Sequence, residues 1–314
     1  MKGLELARGY YEEYGRPMLE EAFPEVLPFL AAGFVGSGSD RFGFDDEISR
    51  DHDFEPGFSI YLPGEDIVDR RTAFLLERAY AKLPKSYRGV MREKLSPVGG
   101  NRNGVIRTSD FYREKTGTPD GKLSISEWLT VPDAALAEAV NGEVFFDGYG
   151  EFTEIRNRML HMPEDIRLKR IAGNLLLAAQ SGQYNFERCL KHGETEAAAL
   201  ACHEFVTASM KVFFLLNGRY MPYYKWSFRA LKELPGGEEV SKKLSSVLTA
   251  GHEDHDAALR KQKTIEEVSA FFIERLKAND MTDSDSEDLE RHAYEVNNRI
   301  ADGHVRTLHI LAGV

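Results

Sequence analysis

The stretch Gly33–Phe54, GFVGSGSDRFGFDDEISRDHDF, decides how this chain is interpreted. An apolar run, Phe29–Phe34, leads into it, and Phe58–Leu62 (FSIYL) follows it as a second short β-rich run. Gly36-Ser37 therefore comes directly after one predicted strand, and Asp51-His52-Asp53 comes shortly before the next. The sequence thus predicts a Gly-Ser loop, a spacer and an acidic pair between two short strands.

Each of the two motifs suits one part of a phosphorylated ligand. A Gly-Ser pair at the end of a strand lets backbone N–H groups and a hydroxyl approach a phosphate closely. In an extended segment Asp51 and Asp53 place their carboxylates on one face, because side chains alternate with a period of two. Mg²⁺ in proteins usually takes one or two carboxylates together with phosphate oxygens and water. The two motifs together predict phosphoryl or nucleotidyl transfer, in which the metal neutralises charge.

This arrangement resembles the nucleotidyltransferase superfamily that includes DNA polymerase beta and the aminoglycoside nucleotidyltransferases. The likeness covers residues 29–62, and Ser39-Asp40-Arg41 is similar to the polar, Arg-containing stretch that follows the Gly-Ser pair in many members. Two further segments, Gly142–Gly148 (GEVFFDG) and Tyr220–Trp226 (YMPYYKW), resemble a bacterial family of nucleotidyltransferase-like proteins of unknown function. The resemblance implies an α+β fold, with a small mixed-sheet nucleotidyltransferase domain followed by an all-helical domain.

The sequence pattern changes near residue 150. Before it, short apolar runs alternate with helical segments, whereas from Glu151 onward helical periodicity dominates and strand signals almost vanish. Long amphipathic helices are predicted over Ile166–His192 and Thr195–Leu216. We predict two domains: residues 1–150 form a nucleotidyltransferase-like α/β domain, and residues 151–314 form a helical bundle.

The resemblance assigns roles to the residues of the decisive stretch. It implies that a nucleoside triphosphate, ATP first among the candidates, binds through Gly36, Ser37 and Arg41. It also implies that Asp51 and Asp53 hold Mg²⁺ and act in catalysis.

Lys225 is the candidate that the helical half offers to the same site. It lies between Tyr224 and Trp226, and a lysine beside a triphosphate supplies a mobile positive charge. An aromatic ring at this position can stack on a base. The alternative is that the aromatic side chains are buried and Lys225 extends along them to solvent.

The third carboxylate of the superfamily pattern is missing from its expected place. Active members carry another acid on a later central strand, where it serves as the base toward the incoming hydroxyl. The corresponding strand, Gly104–Thr108 (GVIRT), contains no acid. Asp110, just beyond this strand, and Asp147 are the two other candidates for this acid. Asp110 is expected to be a helix N-cap and Asp147 part of an Asp-Gly turn, while residues 45–47 are expected to be solvated. Either the base comes from the helical half, or the protein binds nucleotide without transferring it efficiently.

Bulk properties narrow the class of protein. The 314 residues carry a net charge of −11, from 51 acidic and 40 basic residues, whereas nucleic-acid binders usually have a basic balance. No apolar run approaches the roughly 18 to 20 residues of a membrane span, and the N-terminus lacks signal-peptide features. Cys189 and Cys202 are expected to be free thiols. We therefore expect a cytoplasmic protein with no membrane and no nucleic-acid partner.

The expected activity is Mg²⁺-dependent transfer of a nucleoside monophosphate from a nucleoside triphosphate to a hydroxyl acceptor, an unidentified small molecule. Two alternatives come from other classes of protein. One is a catalytically weak nucleotide-binding regulator, motivated by the missing acid. The other is an antitoxin-like protein whose helical half binds a partner chain.

Overall fold

The structure is a computed structural model that describes residues 1–48, 54–92, 103–252 and 254–314. Its strands all precede residue 148 within the described part of the chain, so the predicted α+β class is confirmed. The helices and strands are α1 (Gly3–Tyr10), α2 (Arg16–Ala22), β1 (Ala31–Phe34), β2 (Ser59–Leu62), α3 (Arg70–Ala81), β3 (Ser86–Tyr87), β4 (Val90–Met91), β5 (Gly104–Arg107), α4 (Thr108–Thr116), α5 (Ile125–Thr130), α6 (Asp133–Val140), β6 (Glu143–Asp147), α7 (Glu151–Leu160), α8 (Glu164–Ala178), α9 (Phe186–Lys191), α10 (Thr195–Leu216), α11 (Tyr224–Lys232), α12 (Gly237–Thr249), α13 (His255–Ala278), α14 (Leu289–Asn298) and α15 (Gly303–Thr307).

The chain divides into two compact units. The first contains residues 1–123 and 134–161, and the second contains residues 124–133 and 162–314. The predicted domain boundary after residue 150 stays a prediction. By internal contacts, α7 belongs with the sheet rather than with the helices that follow it, and α5 belongs with the second unit.

A four-stranded mixed sheet, in the order β5-β2-β1-β6, organises the first unit. The central strand β1 is antiparallel to both β2 and β6, and β2 is parallel to β5. All four residues of β1 and of β2 are buried, which explains why their sequences are continuous apolar runs rather than alternating ones.

The pairing register brings four chain segments to the same edge of the sheet. The end of β1 pairs with the start of β2 at Gly33 and Ser59, and Ser59 pairs with Gly104 at the start of β5. Phe34 pairs with Glu143 at the start of β6. The end of β1 and the starts of β2, β5 and β6 therefore lie at this edge, which we call the loop edge.

Both faces of the sheet are covered, as the alternation of side chains along β2 shows. Ile60 and Leu62 join a core built with α1, α2 and α3. Tyr61, between them, points to the opposite face. There its ring centroid lies 4.0 Å from that of Phe152 of α7 and 5.3 Å from that of Phe111 of α4. This second layer fixes α4 beside the strands that end or begin at the loop edge.

The second unit is built around α10, whose bounds match the predicted helix Thr195–Leu216. The other predicted long helix, Ile166–His192, is instead α8, a π-helical segment at Ala179–Asn185, and α9. Among the described helices, α10 alone is long and apolar enough to cross a membrane, with a mean hydropathy of 1.4 over its best window. The sequence expectation that no apolar run approaches the length of a membrane span is therefore wrong for α10. Of its best window, 61% is buried.

The cysteines give a prediction that tests the second unit. Both are free thiols, as expected from the sequence; Cys202 is buried in α10, where burial raises the pKa of its thiol to about 11. A higher pKa leaves less thiolate at pH 8, and burial limits access of reagents, so Cys202 should react slowly. In the native protein, a disulfide reagent that releases a chromophore should label Cys189 at least about tenfold faster. Cys189→Ala and Cys202→Ala assign the two phases, and equal rates in the folded protein would contradict the burial of Cys202.

Candidate active site

The loop after β1 is held at its second residue, Gly36, by an asparagine side chain. Gly36 has φ +113°, a region that L-residues with a side chain rarely adopt. Its N–H donates to the Asn141 side-chain oxygen at 2.8 Å, and the Asn141 side-chain nitrogen donates to the Gly36 carbonyl at 2.7 Å. Asn141 lies between α6 and β6, so the neighbouring strand fixes the loop. In this structure the Gly36 N–H group, which was predicted to bind phosphate, donates its hydrogen bond to Asn141.

Arg41 organises the loop from inside. It is only 2% exposed, and its guanidinium lies over the Phe34 ring at 4.1 Å. It donates to the carbonyls of Val35 and Ser37, each at 3.1 Å, and to the Asn103 side-chain oxygen at 2.9 Å. The residue predicted from sequence to bind the triphosphate thus directs donors at the backbone of its own loop and at the Asn103 side chain.

Ser37 presents its hydroxyl at the surface, where two charged side chains meet it. The hydroxyl donates to the Glu138 carboxylate of α6 at 2.5 Å, and it accepts from the Lys115 ammonium of α4 at 2.8 Å. Lys115 and Glu138 also form an ion pair at 3.0 Å. At the loop predicted to bind phosphate, the hydroxyl of Ser37 and the ammonium group of Lys115 from α4 therefore lie side by side.

Lys115, Glu138 and Asn141 were not identified from the sequence. Lys115 lies 78 residues and Glu138 101 residues beyond Ser37, and neither stands in a motif. Their convergence follows from the sheet order, which places β6 beside β1 and lets α4 pack under β2. A sequence signal for them is absent because local spacing does not encode strand order.

Asp51 and Asp53, the predicted catalytic and metal-binding pair, lie outside the described residues. After them, the Glu55 carboxylate accepts from the Asn103 side-chain nitrogen at 3.2 Å. Because Asn103 also accepts from Arg41, one asparagine links the loop after β1 to the segment that leads into β2.

Before the Asp pair, Asp45 was expected to be solvated. Asp45 is instead buried, and its carboxylate accepts the N–H of Gly3 at the start of α1. The expectation of a solvated acid is wrong for Asp45, whose charge favourably faces a helix N-terminus.

The two candidates for the third carboxylate have structural roles at helix ends. Asp147 ends β6 and accepts the N–H groups of Gly150 and Thr153 at 2.7 and 2.8 Å, which confirms the turn interpretation. Asp110 is not the N-cap of α4, because Arg107 occupies that position. It lies in the first turn of α4 and pairs with Arg113 at 2.9 Å.

Lys225 lies in the first turn of α11, in the second unit, and is exposed. The rings of Tyr223 and Tyr224 are 4.4 Å apart, and Tyr224 is 68% exposed. The alternative in which these aromatic side chains are buried is therefore wrong for the two tyrosines, while Trp226 is half-buried. The role of Lys225 at a triphosphate stays a prediction.

Comparisons with known proteins give two matches. A family model described as a domain of unknown function (DUF4037) matches residues 128–227, a segment that contains Glu138, Asn141 and Lys225. The solved structure of a nucleotidyltransferase-like protein from Exiguobacterium sibiricum 255-15 is similar at 13% identity and a TM-score of 0.38, covering 88% of this chain and 81% of that one. No curated protein matches this sequence. At that identity, no site residue is transferred from the solved structure to this chain.

Proposed function

We propose that this protein transfers a nucleoside monophosphate from a nucleoside triphosphate to a hydroxyl of a small molecule, with Mg²⁺ as the metal. The observation that supports it most is the pairing of the Ser37 hydroxyl with the Lys115 ammonium, 2.8 Å apart, on a Gly-Ser loop at the end of the central strand. A hydroxyl and an ammonium at one point suit a phosphate oxygen, which accepts hydrogen bonds and carries negative charge.

The loop is suited to this task because its backbone is fixed before any ligand arrives. Asn141 fixes the Gly36 peptide from the side of β6, and Arg41 fixes the Val35 and Ser37 carbonyls from within. A preformed loop loses little conformational entropy on binding, so more of the interaction energy appears as affinity. In the proposed reaction Ser37 and Lys115 orient the triphosphate.

The metal site is proposed from sequence and topology. The described residues contain no group of three or more His, Cys, Asp or Glu side chains arranged to hold a metal. Asp51 and Asp53, which lie outside them, precede β2 in the sequence, and the first residue of β2, Ser59, pairs with Gly33 of β1 at the loop edge. Their two carboxylates fit the oxygen ligands of Mg²⁺, which when bound neutralises phosphate charge during transfer.

Calorimetric titration of ATP, GTP, CTP and UTP, with and without Mg²⁺, tests the proposal. Wild type should bind at least one triphosphate in a Mg²⁺-dependent way, and Asp51→Asn with Asp53→Asn should weaken that binding by roughly a hundredfold, because carboxylate–metal contacts are lost. The acceptor is then sought by measuring pyrophosphate release with a panel of small polyhydroxylated compounds. A Lys225→Gln arm of the titration tests the predicted role of that lysine.

The chain offers a matched control for the double variant. Asp283-Ser284-Asp285 is another D-x-D, and its two exposed carboxylates pair with Arg299 and Lys277. Asp283→Asn with Asp285→Asn removes the same two charges and should leave triphosphate binding unchanged. Equal losses in both double variants, or no binding of any triphosphate by the folded wild type, would refute the proposed function. Binding without pyrophosphate release would favour the regulator.

A further inference from the structure

Glu138 occupies the place at the loop edge where both donors of the candidate anion site converge. One of its oxygens, Oε2, accepts from the Ser37 hydroxyl at 2.5 Å and from the Lys115 ammonium at 3.0 Å. The Lys115 and Glu138 side chains are only 12% and 19% exposed. This carboxylate oxygen therefore has the hydrogen-bond partners that a phosphate oxygen requires.

A phosphate oxygen and the Glu138 carboxylate cannot share these two donors. Both are acceptors with negative charge, and two like charges a few ångströms apart in a partly desolvated site repel each other. An anion that binds Ser37 and Lys115 must therefore displace Glu138.

We infer that Ser37 and Lys115 form an anion site for a phosphate group of the substrate, and that Glu138 fills it as a carboxylate stand-in until the ligand displaces it. The nucleoside triphosphate as the source of that phosphate rests on the proposed function. The anion site itself rests on the three side chains.

The loop keeps its shape when Glu138 leaves, because other residues hold it. The Gly36 peptide is bonded to Asn141, and the Val35 and Ser37 carbonyls accept from Arg41. Glu138 contributes a bond to the Ser37 hydroxyl, on the exposed side of the loop. Displacement thus removes the Glu138 carboxylate from two donors without dismantling the backbone around them.

Inorganic tripolyphosphate, which has neither base nor sugar, tests the anion site by calorimetry without added metal. Glu138→Gln removes the negative charge that competes with the ligand for the Ser37 and Lys115 donors. Tripolyphosphate binding should therefore tighten by roughly tenfold, the change in affinity expected for one hydrogen bond to a charged group. Lys115→Met removes the ammonium donor and should weaken it by roughly tenfold or more.

Glu114→Gln is the matched control. Glu114 also pairs with Lys115, at 3.1 Å, but its side chain is 67% exposed. This variant removes the same charge beside the same lysine, and it should change affinity by less than about twofold, because exposed charges are screened. Thermal unfolding of each variant verifies that the fold is intact.

The direction of the Glu138→Gln effect decides the outcome. If Glu138 merely positioned Ser37, the variant would bind tripolyphosphate more weakly, and that result overturns the inference. Unchanged affinity, an equal gain in Glu114→Gln, or no tripolyphosphate binding by any variant also overturns it. Tighter tripolyphosphate binding in Glu138→Gln, with no Mg²⁺-dependent nucleotide binding, upholds the anion site and refutes the proposed function. Ordinary nucleotide binding without the tripolyphosphate gain refutes the anion site alone.

Discussion

Alanine at Gly142 is expected to lower the free energy of unfolding by about 3 kcal/mol or more. Gly142 has φ +60°, and a Cβ built on it would lie 2.0 Å from the Phe34 carbonyl oxygen, far inside van der Waals contact. The obstructing atom is backbone of the central strand β1, so no side chain can rotate away. Relief requires that β1 and β6 separate at the Phe34–Glu143 pair.

The consequence extends to the site, since Asn141 directly precedes Gly142 and binds Gly36 with both side-chain groups. Any shift of this turn withdraws the asparagine from the loop, so Gly142→Ala should also weaken triphosphate binding in whatever protein remains folded. Urea unfolding followed by far-UV circular dichroism gives the stability, and calorimetry gives the affinity.

Gly150 provides the control at the other end of β6. It also has positive φ, +82°, but a Cβ there would meet no atom within 4 Å. Gly150→Ala should therefore cost only about 1 kcal/mol, the price of the left-handed conformation. Equal destabilisation by the two variants would mean that the close approach to Phe34 does not exist.

Sequence alone predicted the parts of the fold that depend on local patterns. The apolar runs at Phe29–Phe34 and Phe58–Leu62 contain β1 and β2, and the bounds of α10 match because its apolar periodicity is long and uninterrupted. From the same periodicity α8 and α9 were predicted as one helix. The π-helical segment between them, Ala179–Asn185, continues the helical rise, so it leaves no break in the sequence pattern.

The candidate site was predicted less completely, and the reasons are physical. The Gly-Ser motif identifies the loop because glycine marks a backbone position with positive φ. Arg41 donates to two carbonyls of its own loop and to Asn103, 62 residues away, and local spacing does not show that these donors point inward. Lys115 and Glu138 reach Ser37 only through the order of the strands, which a periodic pattern does not contain.

Lysine at Arg41 is expected to destabilise the ligand-free protein by about 2–3 kcal/mol. The planar guanidinium lies flat on Phe34 and serves acceptors in three different directions, the Val35 and Ser37 carbonyls and the Asn103 side chain. A lysine keeps the charge but has a single nitrogen, so buried acceptors lose their partners, and each unpaired buried group costs free energy. Urea unfolding without ligand measures the change.

Arg113→Lys on α4 is the matched control, because Arg113 is exposed and its ion pair with Asp110 is at the surface. It should change stability by no more than about 0.5 kcal/mol.

The comparison separates two roles for Arg41. A side chain that contacts phosphate directly would lose affinity on conversion to lysine with little change in the stability of the free protein. If the side chain instead holds the loop, its conversion to lysine lowers the free energy of unfolding of the free protein. Triphosphate affinity then falls as a consequence, because the Ser37 hydroxyl is no longer held in place. If Arg41→Lys left the stability unchanged, Arg41 would not hold the loop. It would then be expected to contact the phosphate directly, and Asn141 would fix the loop.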